Sequence, residues 1–331
     1  MHIMILGAAG MVGRKLTQHL ASAGHLGGEE LTALSLVDTI EPERPAHFSK
    51  NVSLAVTDIS VPGAAAKCVA TRPDIIFHLA AVVSGEAEAD LDKGYRVNLD
   101  GTRQLFEAIR EEGTKAPYQP RVVFTSSIAV FGAPFPDVIG DEFFTTPLTS
   151  YGTQKAMAEL LLADYSRRGF FDGIGIRLPT ICIRPGKPNQ AASSFFSGIL
   201  REPLSGQEAV LPVSEDIRHW HASPRAAVGF LTHAATIDLR PLGARRTLTM
   251  PGLSATVREQ IAALRKIAGE KAAALIRHEP NPIVAGMVSG WPQNFAADRA
   301  LALGFRGESS FDEIIRIYIE DELGGRIPVL S

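Results

Sequence analysis

Ile3-Met4-Ile5-Leu6-Gly7-Ala8-Ala9-Gly10-Met11-Val12-Gly13 decides how this chain of 331 residues is read. Ile3 to Leu6 is a short apolar run, the pattern of a strand buried on both faces. It enters a glycine turn, and Arg14 to Leu20 then carries helical apolar spacing, so the order is strand, turn, helix. Gly7 permits the tight turn, Gly10 lets the backbone approach a pyrophosphate, and Gly13 lets the helix pack closely on the strand. The N–H groups of Met11, Val12 and Gly13 open the helix and would meet the phosphates. The spacing is Gly-x-x-Gly-x-x-Gly, one residue longer at the first step than the common dinucleotide pattern.

Working outward, Leu31 to Val37 reads as a second strand ending in Asp38, 25 residues after Gly13. A carboxylate there accepts hydrogen bonds from both ribose hydroxyls of NAD and repels the 2′-phosphate of NADP. Val52 to Thr57 is a third strand, and Asp58-Ile59 at its end would edge and pack an adenine. Ile75 to Ala81 is a fourth, with Leu79, Ala80 and Ala81 at the end where a cofactor passes. His78, inside that apolar run, reads as a satisfied core histidine. Residues 88–111 read as one long helix carrying Asn98. Arg121 to Ser127 is a fifth strand ending in two serines, and Ile174 to Leu178 a sixth.

Strands alternating with helices over about 180 residues predict an α/β fold, a doubly wound parallel sheet that binds ligands beyond its carboxyl ends. Beyond Ile181 the pattern is less regular, with helices expected around 254–268, 295–303 and 310–322 and a strand at Thr247 to Met250. The expected division is a cofactor domain over 1–180 and a smaller, mixed, mainly substrate-binding domain over 181–331, with room for the chain to cross back. Arg218-His219-Trp220-His221 in the second half suits the wall of an anion pocket and equally a surface basic-aromatic cluster.

Between the fifth and sixth strands stands Tyr151-Gly152-Thr153-Gln154-Lys155, with tyrosine and lysine on one helical face a turn apart. A free phenol, pKa about 10, is only ~0.1% ionised at neutral pH. Lowering it by ~3 units takes about 4 kcal/mol, a demand that a positioned ammonium and a positive cofactor ring can meet together.

Composition closes off other classes. The net charge of −3 and 45% hydrophobic content leave a real core and no basic face for nucleic acid. The two cysteines, Cys68 and Cys182, lie far apart, so neither a disulfide framework nor a metal site is expected, and a reducing cytoplasm fits. No apolar run is long enough to span a membrane.

These pieces together resemble the extended short-chain dehydrogenases/reductases, the NAD-dependent epimerase/dehydratase group with a Rossmann domain, over essentially the whole chain. The match is carried by Gly7-x-x-Gly10-x-x-Gly13, Asp38, Asp58-Ile59, His78-Leu79-Ala80-Ala81, Asn98-Leu99-Asp100-Gly101-Thr102, Thr125 to Gly132 and Tyr151-x-x-x-Lys155. The resemblance implies NAD as cofactor and Tyr151 as catalytic acid/base. It implies Lys155 as the tyrosine's partner and a ribose ligand, Ser127 as the hydroxyl orienting substrate, and Pro179 beside the nicotinamide. Asn98 joins the cofactor set by the same likeness, and a homodimer paired through the 88–111 and 150–168 helices is the default.

Nucleotide-sugar members usually carry Arg-x-x-Asn-x-Tyr-Gly-Pro after the sixth strand. Here Thr180 replaces the asparagine and Cys182 the tyrosine, and Arg218-His219-Trp220 replaces an Arg-Asp-aromatic motif. The whole sequence, Phe131 and Arg218-His219-Trp220-His221 included, most resembles the branch that oxidises the C2 hydroxyl of a small sugar acid to the 2-oxo acid. For that substrate Arg218 is the expected carboxylate ligand with Arg184 as competitor, and Ser84 and Thr180 are neighbours. The alternative is a nucleotide-sugar epimerase or dehydratase that retains its NAD.

Overall fold

The computed structural model describes residues 1–186 and 193–328. Seven strands form the main sheet: β1 (His2–Leu6), β2 (Ala33–Asp38), β3 (Asn51–Val56), β4 (Ile75–His78), β5 (Arg121–Ser127), β6 (Asp172–Leu178) and β7 (Thr247–Thr249). Their order is β7-β6-β5-β4-β1-β2-β3. The pairings of β1 with β2 and β4, β2 with β3, β4 with β5, and β6 with β7 are parallel. The order reverses between β1 and β4, so the loop leaving β1 opens at the switch point, where doubly wound sheets take their ligands. The α/β, doubly wound expectation holds.

The chain divides into two compact units. The first comprises Met1–Val130, Thr149–Arg177 and Val228–Thr249; the second comprises Phe131–Leu148, Leu178–Ala227 and Met250–Ser331. In the first unit, Met4, Leu6, Ile76 and Phe124 from the sheet pack with Leu105, Phe106 and Ile109 of α2 (Gly101–Lys115) and Leu162 of α3 (Ser150–Arg167). The second unit has its own core, including Phe196, Ile199, Leu200, Leu264, Ile314 and Ile315. A three-stranded sheet in that unit pairs Leu253–Thr256, Arg218–Ala222 and Thr180–Ile181.

The expected single helix over 88–111 is broken. Short helices at Ser84–Ala89 and Leu91–Gly94 lead into a π-helical turn, Tyr95–Asp100, before α2. Asp90 interrupts with an extended backbone and caps the next turn by accepting from Lys93 N at 3.0 Å. The π turn carries an extra residue, which rotates Asn98 inward until it is 1% exposed. The fourth strand stops at His78, so Leu79, Ala80 and Ala81 lie beyond the sheet. The apolar helix Pro282–Ser289 has no counterpart in the sequence reading.

The tightest junction is between β1 and helix α1 (Met11–Ala23). Gly7 turns with φ +89°, a conformation that side chains resist, and a Cβ on Gly13 would stand 2.1 Å from Gly7 O. Gly13→Ala should therefore push α1 off the sheet. A loss of about 1–3 kcal/mol in urea denaturation is expected, and an unchanged midpoint would show that the helix accommodates the methyl.

Candidate active site

The elements leaving the carboxyl edge of the main sheet build a dinucleotide cradle. Gly7 N and Ala8 N donate to Val37 O at 2.8 and 3.2 Å, which ties the turn after β1 to the end of β2. Gly10 caps α1 without any side-chain hydrogen bond, so the first N–H groups of the helix stay available to an anion. Asp38 is fixed beside them: Oδ2 accepts from Ala9 N at 2.8 Å and Oδ1 from Thr39 N at 2.7 Å. A carboxylate has about four lone-pair sites, so capacity remains for two ribose hydroxyls. This arrangement fits NAD.

Asp58 accepts from Ser60 N at 2.9 Å, Ser60 Oγ at 2.6 Å and Arg96 Nη1 at 3.0 Å. Desolvation works against its charge, but the Ser60 bonds and the guanidinium prevail and hold the carboxyl below its ordinary range. Ile59 beside it is buried. Leu79 N donates to Leu6 O at 2.8 Å, and a Cβ on Gly7 would lie 2.7 Å from Ala80 N, so these two loops are in close contact. Asn98 spends its amide internally, accepting from Val82 N at 2.9 Å and donating to Gln154 Oε1 at 2.7 Å. It links the segment after β4 to the Tyr151 helix.

Thr149 starts α3 by accepting from Gly152 N at 3.1 Å, which sets Tyr151 and Lys155 one turn apart. Lys155 is only 2% exposed. Its Nζ donates to Thr125 O at 2.8 Å and lies 4.7 Å from the Phe124 ring centre and 5.8 Å from that of Tyr151. Burial pushes its pKa down to about 7, opposed by Glu159 one turn further on. Glu159 is held by Arg177 through two bonds, 2.9 and 2.7 Å, and by Ser126 Oγ at 2.5 Å. The two serines ending β5 thus divide: Ser126 points into this buried network, whereas Ser127 is half-buried and accepts from Ala129 N at 3.1 Å. That bond occupies a lone pair of Ser127 and leaves its proton to donate.

His78 is fully buried with Nε2 2.8 Å from Thr102 Oγ1, and burial together with the Lys155 charge lowers its pKa to about 3. It is a neutral core residue. Glu159 was missed by the sequence reading, although its spacing from Lys155 puts it on the same helical face.

In the second unit, Pro179 and Thr180 follow directly on β6. Thr180 is in register with His221, and Thr180 Oγ1 lies 2.7 Å from His219 Nε2. Side chains alternate along a strand, so His219 and His221 share Thr180's face while Arg218 and Trp220 take the other. Arg218 donates to Ser254 O at 3.1 Å and stands 3.4 Å from Glu259 Oε2. Two of the expected substrate residues, Thr180 and Arg218, are therefore not brought together. Burial lowers the pKa values of both histidines and the charge of nearby Arg184 adds to it; Arg184 donates to Ile181 O at 2.9 Å and Ser193 Oγ at 3.1 Å. Ser84 is half-buried at the start of its helix in the first unit. Among the described residues no cluster of three metal-ligating side chains occurs, and no helix is long and apolar enough to cross a membrane.

The Lys155 ammonium has a stability consequence. Below about pH 7 both folded and unfolded chains carry the proton, and the folded one bears the net cost of burying it that remains after Glu159's opposing charge. Between that pH and the ordinary lysine pKa of 10.5 only the unfolded chain stays charged, so stability climbs with pH across this window. Lys155→Met should stabilise the cofactor-free protein at pH 6 by a few kcal/mol. The gain should shrink toward pH 10, and melting curves in which it is constant with pH would contradict a buried charge.

Residues 3–226 match the family described as NAD dependent epimerase/dehydratase. The chain is 47% identical to a D-erythronate dehydrogenase of Cupriavidus necator, over 97% of this chain and 98% of that protein. It is 41% identical to a D-erythronate dehydrogenase of Haemophilus influenzae, over 98% of this chain and 100% of the other. A crystal structure described as a nucleoside-diphosphate-sugar epimerase from Agrobacterium tumefaciens superposes with a TM-score of 0.97 at 70% identity, covering 99% of this chain and 96% of that one. With the glycine turn, the strand-end carboxylates and the buried lysine in place, the chain belongs to the NAD-dependent epimerase/dehydratase family, and NAD is its cofactor.

Proposed function

We propose that this enzyme is a dehydrogenase of D-erythronate or a similar small sugar acid, oxidising the C2 hydroxyl to the 2-oxo acid. The observation that carries the chemistry is the buried Lys155 one turn from Tyr151, hydrogen-bonded to Thr125 O of the strand that ends at Ser127, whose proton is left to donate. Two full-length relatives named D-erythronate dehydrogenase support the substrate class. In this reading the first unit holds the cofactor and the second contributes mainly to the substrate.

Tyr151 takes the C2 hydroxyl proton as base. Ser127 donates to the same oxygen and fixes its direction. Lys155 stabilises the phenolate electrostatically and binds ribose, and Glu159 offsets the cost of its charge. Gly7, Gly10, Met11, Val12 and Gly13 hold the pyrophosphate; Asp38 holds a ribose; Asp58 and Ile59 hold the adenine. Leu79, Ala80, Ala81 and Pro179 border the cofactor's path, and Asn98 braces that border. When bound, NAD supplies the hydride acceptor.

The carboxylate needs a cation, and guanidinium geometry suits it. Arg184 is favoured because its charge is felt by His219 and His221, the histidines on Thr180's face, whereas Arg218 lies on the opposite face and pairs with Glu259. Ser84 and Thr180 complete the substrate set. The reading extends to a cytoplasmic homodimer, with Leu160 of α3 71% exposed on a helix expected to pair.

The second reading, a nucleotide-sugar epimerase, is favoured by the description attached to the Agrobacterium structure. Against it, Cys182 stands where sugar-nucleotide members carry tyrosine and is fully buried, its thiol 3.4 Å from Phe196 O. Incubation with NAD and four- to six-carbon aldonic acids separates the two. Stoichiometric NADH release is expected with a four-carbon acid, and conversion of a nucleotide sugar without NADH release would establish the epimerase.

Tyr151→Phe should abolish NADH formation while NAD binding persists in calorimetry; retained turnover would remove the tyrosine from the chemistry. Arg184→Ala should raise KM for the acid about tenfold or more, with Arg218→Ala within about twofold of wild type. The opposite ranking would return the carboxylate to Arg218.

A further inference from the structure

The hydrogen-bond chain from Pro292 through His219 to Thr180 has a polarity that can be assigned step by step. The Pro292 carbonyl can only accept, so His219 Nδ1, 3.0 Å from it, carries a proton. Burial lowers the His219 pKa to about 4, an effect that the Pro292 bond opposes and the Arg184 charge reinforces, so the ring is neutral at working pH and holds no second proton. His219 Nε2 is therefore an acceptor, and Thr180 Oγ1, 2.7 Å away, must donate to it. The hydroxyl's single proton is consumed inside that hydrogen-bond chain. What Thr180 has left to offer is lone pairs.

The ring that imposes this is held firmly. It stacks on Phe196 with centres 5.3 Å apart and planes at 6°, and lies 5.2 Å from Trp291 and 5.4 Å from His221. His219 itself is 3% exposed, whereas Thr180 is half-buried and so partly accessible. Thr180 also stands two residues past Leu178, the end of β6, and ligands of doubly wound sheets bind beyond such ends.

We propose that Thr180 is a specificity residue that His219 and Pro292 keep acceptor-only, so that it reads a substrate hydroxyl other than the one being oxidised. A carboxylate has no proton to give at neutral pH and would meet Thr180 as acceptor against acceptor. The two ends of a hydroxy acid are thereby told apart: the anion goes to a guanidinium and a hydroxyl goes to Thr180. His219 acts through Thr180 as a positioning residue. This inference rests on the sugar-acid dehydrogenase reading.

The test is steady-state NADH formation at saturating NAD with D-erythronate, 2,4-dihydroxybutanoate and 2,3-dihydroxybutanoate, the last two lacking the C3 and C4 hydroxyls. Wild type is expected to prefer erythronate over one of them by about tenfold in kcat/KM, because that analogue leaves the acceptor unpaired. Thr180→Val should lose about fivefold on erythronate, mainly in KM, and nothing on that analogue, so the preference collapses; Thr180→Ser should keep it. His219→Phe, which preserves the ring stack without the acceptor, should cut the preference to about threefold or less, and His219→Gln should restore part of it. Melting temperatures separate these effects from misfolding, and Thr180→Ala replaces the valine variant if that one does not fold.

A preference unchanged in Thr180→Val, or in Thr180→Ala where it replaces that variant, overturns the proposal. One that survives His219→Phe overturns the role of His219. If wild type forms NADH from none of the acids, the dehydrogenase reading and this inference fall together; if it turns over with no preference between the acids, only the inference falls.

Discussion

An ammonium group with almost no access to water is the constraint from which the first unit's arrangement follows. Placing Lys155 inside the protein costs several kcal/mol unless its surroundings respond, and three neighbours do. The Thr125 carbonyl takes a hydrogen bond, the Phe124 ring offers its negative face, and Glu159 supplies opposite charge. Glu159 is itself buried and would be as costly alone, so Arg177 and Ser126 neutralise and bond it. Strand β5, helix α3 and strand β6 are thus bound together by one polar chain crossing an otherwise apolar interior. Such a network fixes side chains in one arrangement, and Ser127 and Tyr151 belong to two of the elements it joins.

The sheet was largely legible from sequence because buried parallel strands are continuous apolar runs, and six of them alternate with helical spacing. Their ends were legible too, since Asp38, Asp58 and Ser127 interrupt those runs with polar residues. The π turn at Tyr95–Asp100 was not, because one inserted residue barely alters apolar periodicity. Nor could the phase of Arg218-His219-Trp220-His221 be read: four large polar or aromatic residues in succession show no alternation, so the face Arg218 takes depends on pairing with Leu253–Thr256 and Thr180–Ile181. Glu159 lay on the page as a spacing, but its burial depends on Arg177, which only the fold brings to it.

The second unit shows how an ordinary side chain acquires direction from its setting. A threonine hydroxyl can give or accept, and free in solution it does both. Beside a neutral imidazole whose other nitrogen is committed to a carbonyl, it has one choice. The aromatic packing around His219 holds that choice in place across the pH range in which the ring is neutral.

Strand β7 also shapes how the molecule comes into being. Its residues, Thr247–Thr249, complete the main sheet beside β6, yet they are made about 70 residues after β6 ends. At roughly 5–20 residues per second on the ribosome, the flank of β6 waits several seconds for its neighbour. During that interval its backbone N–H and C=O groups form an open template for any other extended segment. The first unit is therefore not a piece that can be finished early and left behind: much of the second must be synthesised before the sheet closes.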